Sequence, residues 1–78
     1  MIYTHRHFFC SKDYSGVWCL YAGYSCIGFF KKRYWADKAR KHLQHLLDSF
    51  QWSTLAHEIC VMRENLLVFD VWYPDIEL

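Results

Sequence analysis

The chain has 78 residues, of which 54% are hydrophobic and 21% aromatic, with nine Lys/Arg against eight Asp/Glu and a formal net charge of +1. That length fits one domain, taken here as residues 1–78, and sixteen aromatic side chains exclude a disordered chain. The near-neutral total gives no global field that would draw the chain to nucleic acid or a membrane.

Residues 2–10 read as a first strand, rich in Tyr, Thr and Phe. Ser11 to Gly16 reads as a loop. Residues 17–22 form a second strand, Gly23 supplies a turn, and residues 24–30 form a third. From Ala36 the apolar residues Ala39, Leu43, Leu46, Leu47 and Phe50 follow at steps of three and four, which predicts a helix starting between 32 and 36. Residues 55–63 and 66–73 alternate apolar side chains as two further strands, with Glu64-Asn65 as their hairpin turn. The expected fold is therefore α+β: an antiparallel sheet of about five strands, ordered βββαββ in sequence, with one amphipathic helix packed on one face.

That arrangement carries a tension. One helix covers one sheet face, and a sheet with a wet face should alternate apolar and polar residues. Val17, Cys19 and Tyr21 nevertheless oppose Trp18, Leu20 and Ala22, and both sets are largely apolar. Part of the sheet is thus expected to meet a partner, since large exposed apolar patches mark interaction sites.

Charge is divided unevenly. Residues 1–42 hold eight Lys/Arg and two Asp/Glu, whereas residues 43–78 hold Arg63 and six acids. Six of the basic residues fall within positions 31–41, where Tyr34 and Trp35 interrupt them. The candidate partner-binding residues are Lys31, Lys32, Arg33, Tyr34, Trp35, Lys38 and Lys41. Such a set can neutralise phosphates and stack on bases, or meet an acidic protein surface. It can also be a solvated helix face with Asp37 paired to Lys41. Asp70, Asp75 and Glu77 make a short acidic tail, expected to be solvated and loose.

Other chemistries find little support. The cysteines at 10, 19, 26 and 60 lack the close pairs of a zinc module, although His5, His7, His42 and His45 are potential ligands. They are expected to be reduced thiols behaving as small hydrophobes. No Gly-rich phosphate loop, HExxH or paired acidic motif is present, and nothing in the sequence fixes the cysteines and histidines together, so no catalytic residue, metal or cofactor is expected. The N-terminus lacks the pattern of a signal peptide, and a cytoplasmic location without membrane contact is expected.

Trp18, the turn Gly28-Phe29-Phe30 into the helix, and Ala39 give the stretch Gly16 to Leu47 a slight resemblance to three-strand-plus-helix DNA-binding domains of the AP2 type and of phage integrase arms. That resemblance implies binding of DNA. It covers about forty percent of the chain, leaves residues 54–73 without a counterpart, and lacks polar base-reading strand residues. Small size and a compact ββ-α-ββ reading also resemble, in style, phage proteins that block host defence complexes, including anti-CRISPR proteins. The resulting expectation is a non-catalytic protein-binding module acting by stoichiometric contact, as a phage or mobile-element inhibitor of a host protein or ribonucleoprotein complex. The alternatives are a nucleic-acid-binding domain using residues 31–41 and a self-associating subunit, dimeric through the sheet.

Overall fold

A computed structural model describes residues 7–65 and 67–75. Three strands come first: β1 (Phe8–Lys12), β2 (Trp18–Ala22) and β3 (Ser25–Phe30), paired antiparallel in the order β1-β2-β3. The loop before β2 is held by Asp13, whose Oδ1 accepts from the Ser15 and Val17 amides at 2.9 and 3.0 Å and from the Ser15 hydroxyl at 2.7 Å. Short polar side chains at turns commonly bond the backbone ahead of them in this way. Gly23 and Tyr24 then connect β2 to β3, with Ala22 paired to Ser25. Gly23 has φ +63°, and glycine first in a two-residue connection suits the twist of a hairpin.

The sequence predicts a loop at Ser11 and Lys12. They instead extend β1, because Ser11 pairs with Cys19 and Lys12 with Trp18. The predicted first strand overlaps β1 only at Phe8–Cys10, and its residues 2–6 lie outside the described residues.

Helix α1 (Arg33–Asp48) begins inside the expected window and buries Ala36, Ala39, Leu43 and Leu46 completely. Phe50, expected on the same stripe, is exposed. Its φ of +58° takes the chain out of the helix, a left-handed conformation uncommon for a bulky residue. The Phe50 ring meets Trp52 edge-on at 5.9 Å.

The largest correction follows. Residues 55–63 are not a strand but lie in a second helix, α2 (Trp52–Glu64). Its buried residues are Leu55, Glu58 and Met62, at helical steps of three and four. Glu58 occupies the middle of the buried stripe, so a polarity pattern hides the period. Glu64-Asn65 ends this helix instead of turning a hairpin. Nor do residues 67–73 form the expected antiparallel strand. One parallel bridge joins Phe69 to Phe30: Phe69 N–H donates to the Phe29 carbonyl at 2.8 Å, and Lys31 N–H donates to the Phe69 carbonyl at 2.9 Å. Residue 66 lies outside the described residues. The class is α+β, with three strands and two helices.

The core joins the sheet to the helices and the C-terminal segment. Phe8, Leu20, Ile27 and Phe30 share one cluster with Ala36, Ala39, Leu43, Leu46, Leu55, Met62 and Trp72. A register shift beside Leu20 and Tyr21 leaves Ile27 without a partner across the ladder. This bulge lets Ile27 and Gly28 both be buried. Gly28 is needed for closeness: a Cβ there would stand 2.8 Å from Met62 Sδ.

Candidate binding surfaces

Strand alternation sorts the side chains of the sheet into two sets. Phe8, Cys10, Leu20, Ala22 and Phe30 face the helices and belong to the core or pack against it. Phe9, Cys19, Tyr21, Cys26 and Phe29 fall on the other side, and none of them belongs to that core. Phe9 and Phe29 are 41% and 38% exposed. The Phe9 and Tyr21 rings stack at 5.1 Å and 13°. Cys19 sits beneath its neighbours, and burial, followed by the nearby Cys26 thiol, raises its pKa. Ser11, which pairs with Cys19, falls on the same side. The open face is therefore a small platform of rings, thiols and a hydroxyl.

The basic stretch is divided among several roles. Lys31 pairs with Asp70 at 3.0 Å, an exposed bridge that also ties the C-terminal segment to the sheet. Asp70 is thus not part of a loose tail, and Asp75 pairs with His57; residues 76–78 lie outside the described residues. Lys32 is the extended residue preceding α1 and caps it with no side-chain bond. Asp37 does not pair with Lys41. It reaches Arg33 at 3.4 Å and Arg40 at 3.6 Å instead. Arg33 also lies over the Trp18 ring at 5.4 Å.

Trp35 is half-buried, meets Tyr34 and Tyr73 edge-on, and lies under Lys38. Lys38 also lies 5.4 Å from the Tyr73 ring. Trp35 and Lys38 therefore fasten the C-terminal segment to α1, in addition to any role at the surface. Tyr34, Asp37, Lys38 and Lys41 line a shallow hollow of about 300 Å³.

A second hollow, of about 280 Å³, lies between β1 and α1. Phe9, Cys10, Trp18, Arg33, Asp37, Arg40 and Lys41 line it, so three cations face one acid. Burial first, then the charge of Asp37, pushes the Cys10 thiol up to about 11, against the opposing pull of Arg40 and Arg33. Phe9 thus lines this hollow and also stacks its ring on Tyr21 at the open face. Phe9, Trp18, Tyr21, Phe29 and Arg40 are not among the residues that the sequence singles out for binding. Strand alternation was the signal for the rings, whereas only packing brings Arg40 to the hollow.

The helix pair and the C-terminal segment meet at a polar cluster. Glu58 is buried, accepts from the Asp75 amide at 3.2 Å, and lies 3.8 Å from His42 Nε2. Trp72, also buried, packs on the His42 ring at 5.7 Å. A buried carboxylate is costly unless it is paired or hydrogen-bonded, so this contact explains how the C-terminal segment can seat on Glu58. Among the described residues no three His, Cys, Asp or Glu side chains converge to hold a metal ion, and Cys10, Cys19, Cys26 and Cys60 carry free thiols.

Comparison with known proteins finds no matching family model, no matching curated protein and no matching solved structure. Among the described residues no helix is long and apolar enough to cross a membrane.

Proposed function

We propose that the chain is a non-catalytic module that binds a protein partner by stoichiometric contact through the open face of its sheet. The observation that carries this reading is the placement of both helices on one side, which leaves Phe9, Tyr21 and Phe29 outside the core on the other. Aromatic side chains supply large contact area at small entropic cost, and they dominate binding hot spots. The cations beside the platform would steer a partner with an acidic rim. Inhibition of a host complex is the form of action we favour for so small a binder.

The test is affinity capture from the native host with the wild-type chain and a Tyr21→Ala/Phe29→Ala variant, followed by sedimentation of the purified complex. The expected result is a complex of fixed stoichiometry that the double variant fails to capture while its circular dichroism is unchanged. Undiminished capture by the folded variant would remove the sheet face from the reading. Sedimentation of the chain alone as a dimer that the same variant dissociates would replace the reading with self-association.

A second reading, nucleic-acid binding, draws on Lys32 and Lys41, which form no ion pair among the described residues, beside the exposed Tyr34 ring. It requires retardation of duplex or single-stranded probes that weakens steeply with salt.

A further inference from the structure

The two edges of the sheet are treated differently. The outer edge of β3 is occupied by the Phe69 bridge. Across the first hairpin, Gly23 N–H donates to the His7 carbonyl at 3.0 Å and Asp13 N–H donates to the Val17 carbonyl at 2.9 Å. Hydrogen-bonded pairs alternate with non-bonded pairs in an antiparallel ladder. His7, Phe9, Ser11 and Asp13 therefore direct their backbone groups toward β2, and Phe8, Cys10 and Lys12 direct theirs outward. Among the described residues no strand pairs with that edge. Proline and a bulge, two of the usual guards against pairing, are absent from β1, and Lys12 is its single charged guard.

We infer that the outer edge of β1 accepts an extended acidic segment of a partner protein as a fourth strand. Strand addition gains affinity from main-chain bonds and specificity from alternate side chains. Alternate side chains on the helix side of an added strand would reach the hollow of Arg33, Arg40 and Lys41. Asp37 offsets part of that charge by its contacts with the two arginines, and Lys41 has no ion pair among the described residues. Side chains on the opposite side would pass the Phe9 ring, which is neutral and exposed. The matching segment thus has an acid at every second position and an apolar residue between.

Charge also selects against a second copy in this place. Pairing β1 with β1 of another copy would bring two sets of Lys12, Arg33, Arg40 and Lys41 together, and like charges so placed repel. The site shares Phe9 with the open face but uses neither Tyr21 nor Phe29, so the Tyr21→Ala/Phe29→Ala variant separates the failure of one proposal from that of the other.

The probe is a capped, fluorescent eight-residue peptide alternating Glu and Val, titrated by anisotropy at low salt. Its controls are the Lys/Val counterpart, a Glu/Val peptide N-methylated at every second residue, and an eight-nucleotide oligothymidine. The Glu/Val peptide is expected to bind about tenfold or more tighter than the Lys/Val peptide, to lose binding on N-methylation, and to shift the Cys10 and Lys12 amide resonances most. Lys41→Glu, alone and with Arg33→Glu, is expected to lower affinity about tenfold with an unchanged circular dichroism spectrum, and Tyr21→Ala/Phe29→Ala is expected to leave it unaltered. Equal affinity for the Glu/Val and Lys/Val peptides would overturn the inference. Full binding by the methylated peptide, or resonance shifts centred on Phe29, would do the same. Tighter binding of oligothymidine would reassign the cations to phosphate.

Discussion

On the helix side of the sheet, Leu20, Phe30 and the bulged Ile27 are withdrawn from water into one cluster with Ala39, Leu43, Leu46 and Met62. On the other side, Phe9, Tyr21 and Phe29 have comparable apolar bulk and lie outside that cluster. The two faces share a composition and differ in what has been laid over them. Hydrophobic residues along a strand therefore identify two faces able to bury area, and the count of covering elements decides which face becomes core. Here both helices and the Trp72 segment join the core on one side, and Phe9 and Phe29 on the other stay partly exposed.

The largest expected contrast tests this difference directly. Leu20→Ala should destabilise the fold by about 2–5 kcal/mol in urea unfolding, as large-to-small changes in a core do. Tyr21→Ala, one residue along and on the open face, should cost less than about 1 kcal/mol. Equal costs would mean that the open face is itself part of the core.

Gly28→Ala is expected to cost about 1–3 kcal/mol, because the new methyl would press on the Met62 thioether. In a Met62→Ala background the same change should cost less, since the two positions share one space. Additive costs in the double-mutant cycle would remove the close approach of α2 to the sheet.

Cys10 sharpens the comparison through pH. A thiol whose pKa is raised on folding holds its proton more tightly in the folded chain. Its contribution to stability is fully present below the ordinary value of 9.0 and is lost as pH rises through about 11. Stability of the wild-type chain should therefore fall more steeply between these values than that of Cys10→Ser, measured by urea unfolding at each pH. Parallel profiles would show that the thiol is not buried beside Asp37.

The smallest effect is expected at Asp13. The Ser15 hydroxyl leads several hydrogen bonds that hold its carboxyl below the usual carboxylate range. The resulting stabilisation is present above the unfolded pKa and fades as pH falls through the folded one. Asp13→Ala should accelerate amide exchange at Ser15 and Val17 without changing the core, and unchanged exchange would show that the loop does not need the carboxylate.

Much of the first half was legible in the sequence. Gly23 between two β-rich runs marked the hairpin, and the steps from Ala36 to Leu46 marked α1, because each signal is local and unopposed. The second half misled for two reasons. Leu55, His57, Ile59 and Val61 alternate as a strand would, and the residue that completes the helical stripe is Glu58, which accepts from the Asp75 amide far along the chain. The basic residues of the candidate site were visible as a cluster, but their division was not. Lys31 and Lys38 contact the C-terminal segment, whereas Arg33 and Lys41 turn toward the β1 hollow.

By itself the sequence determined an α+β chain with a β-hairpin and an amphipathic helix after it. Only the tertiary structure decided that residues 52–64 coil, that Phe69 closes one edge of the sheet, and that no strand among the described residues pairs with the other. The physical reason is that periodicity and turn chemistry act between neighbours in sequence, whereas the covering of a face or an edge is settled by groups that meet only after the chain has folded back on itself.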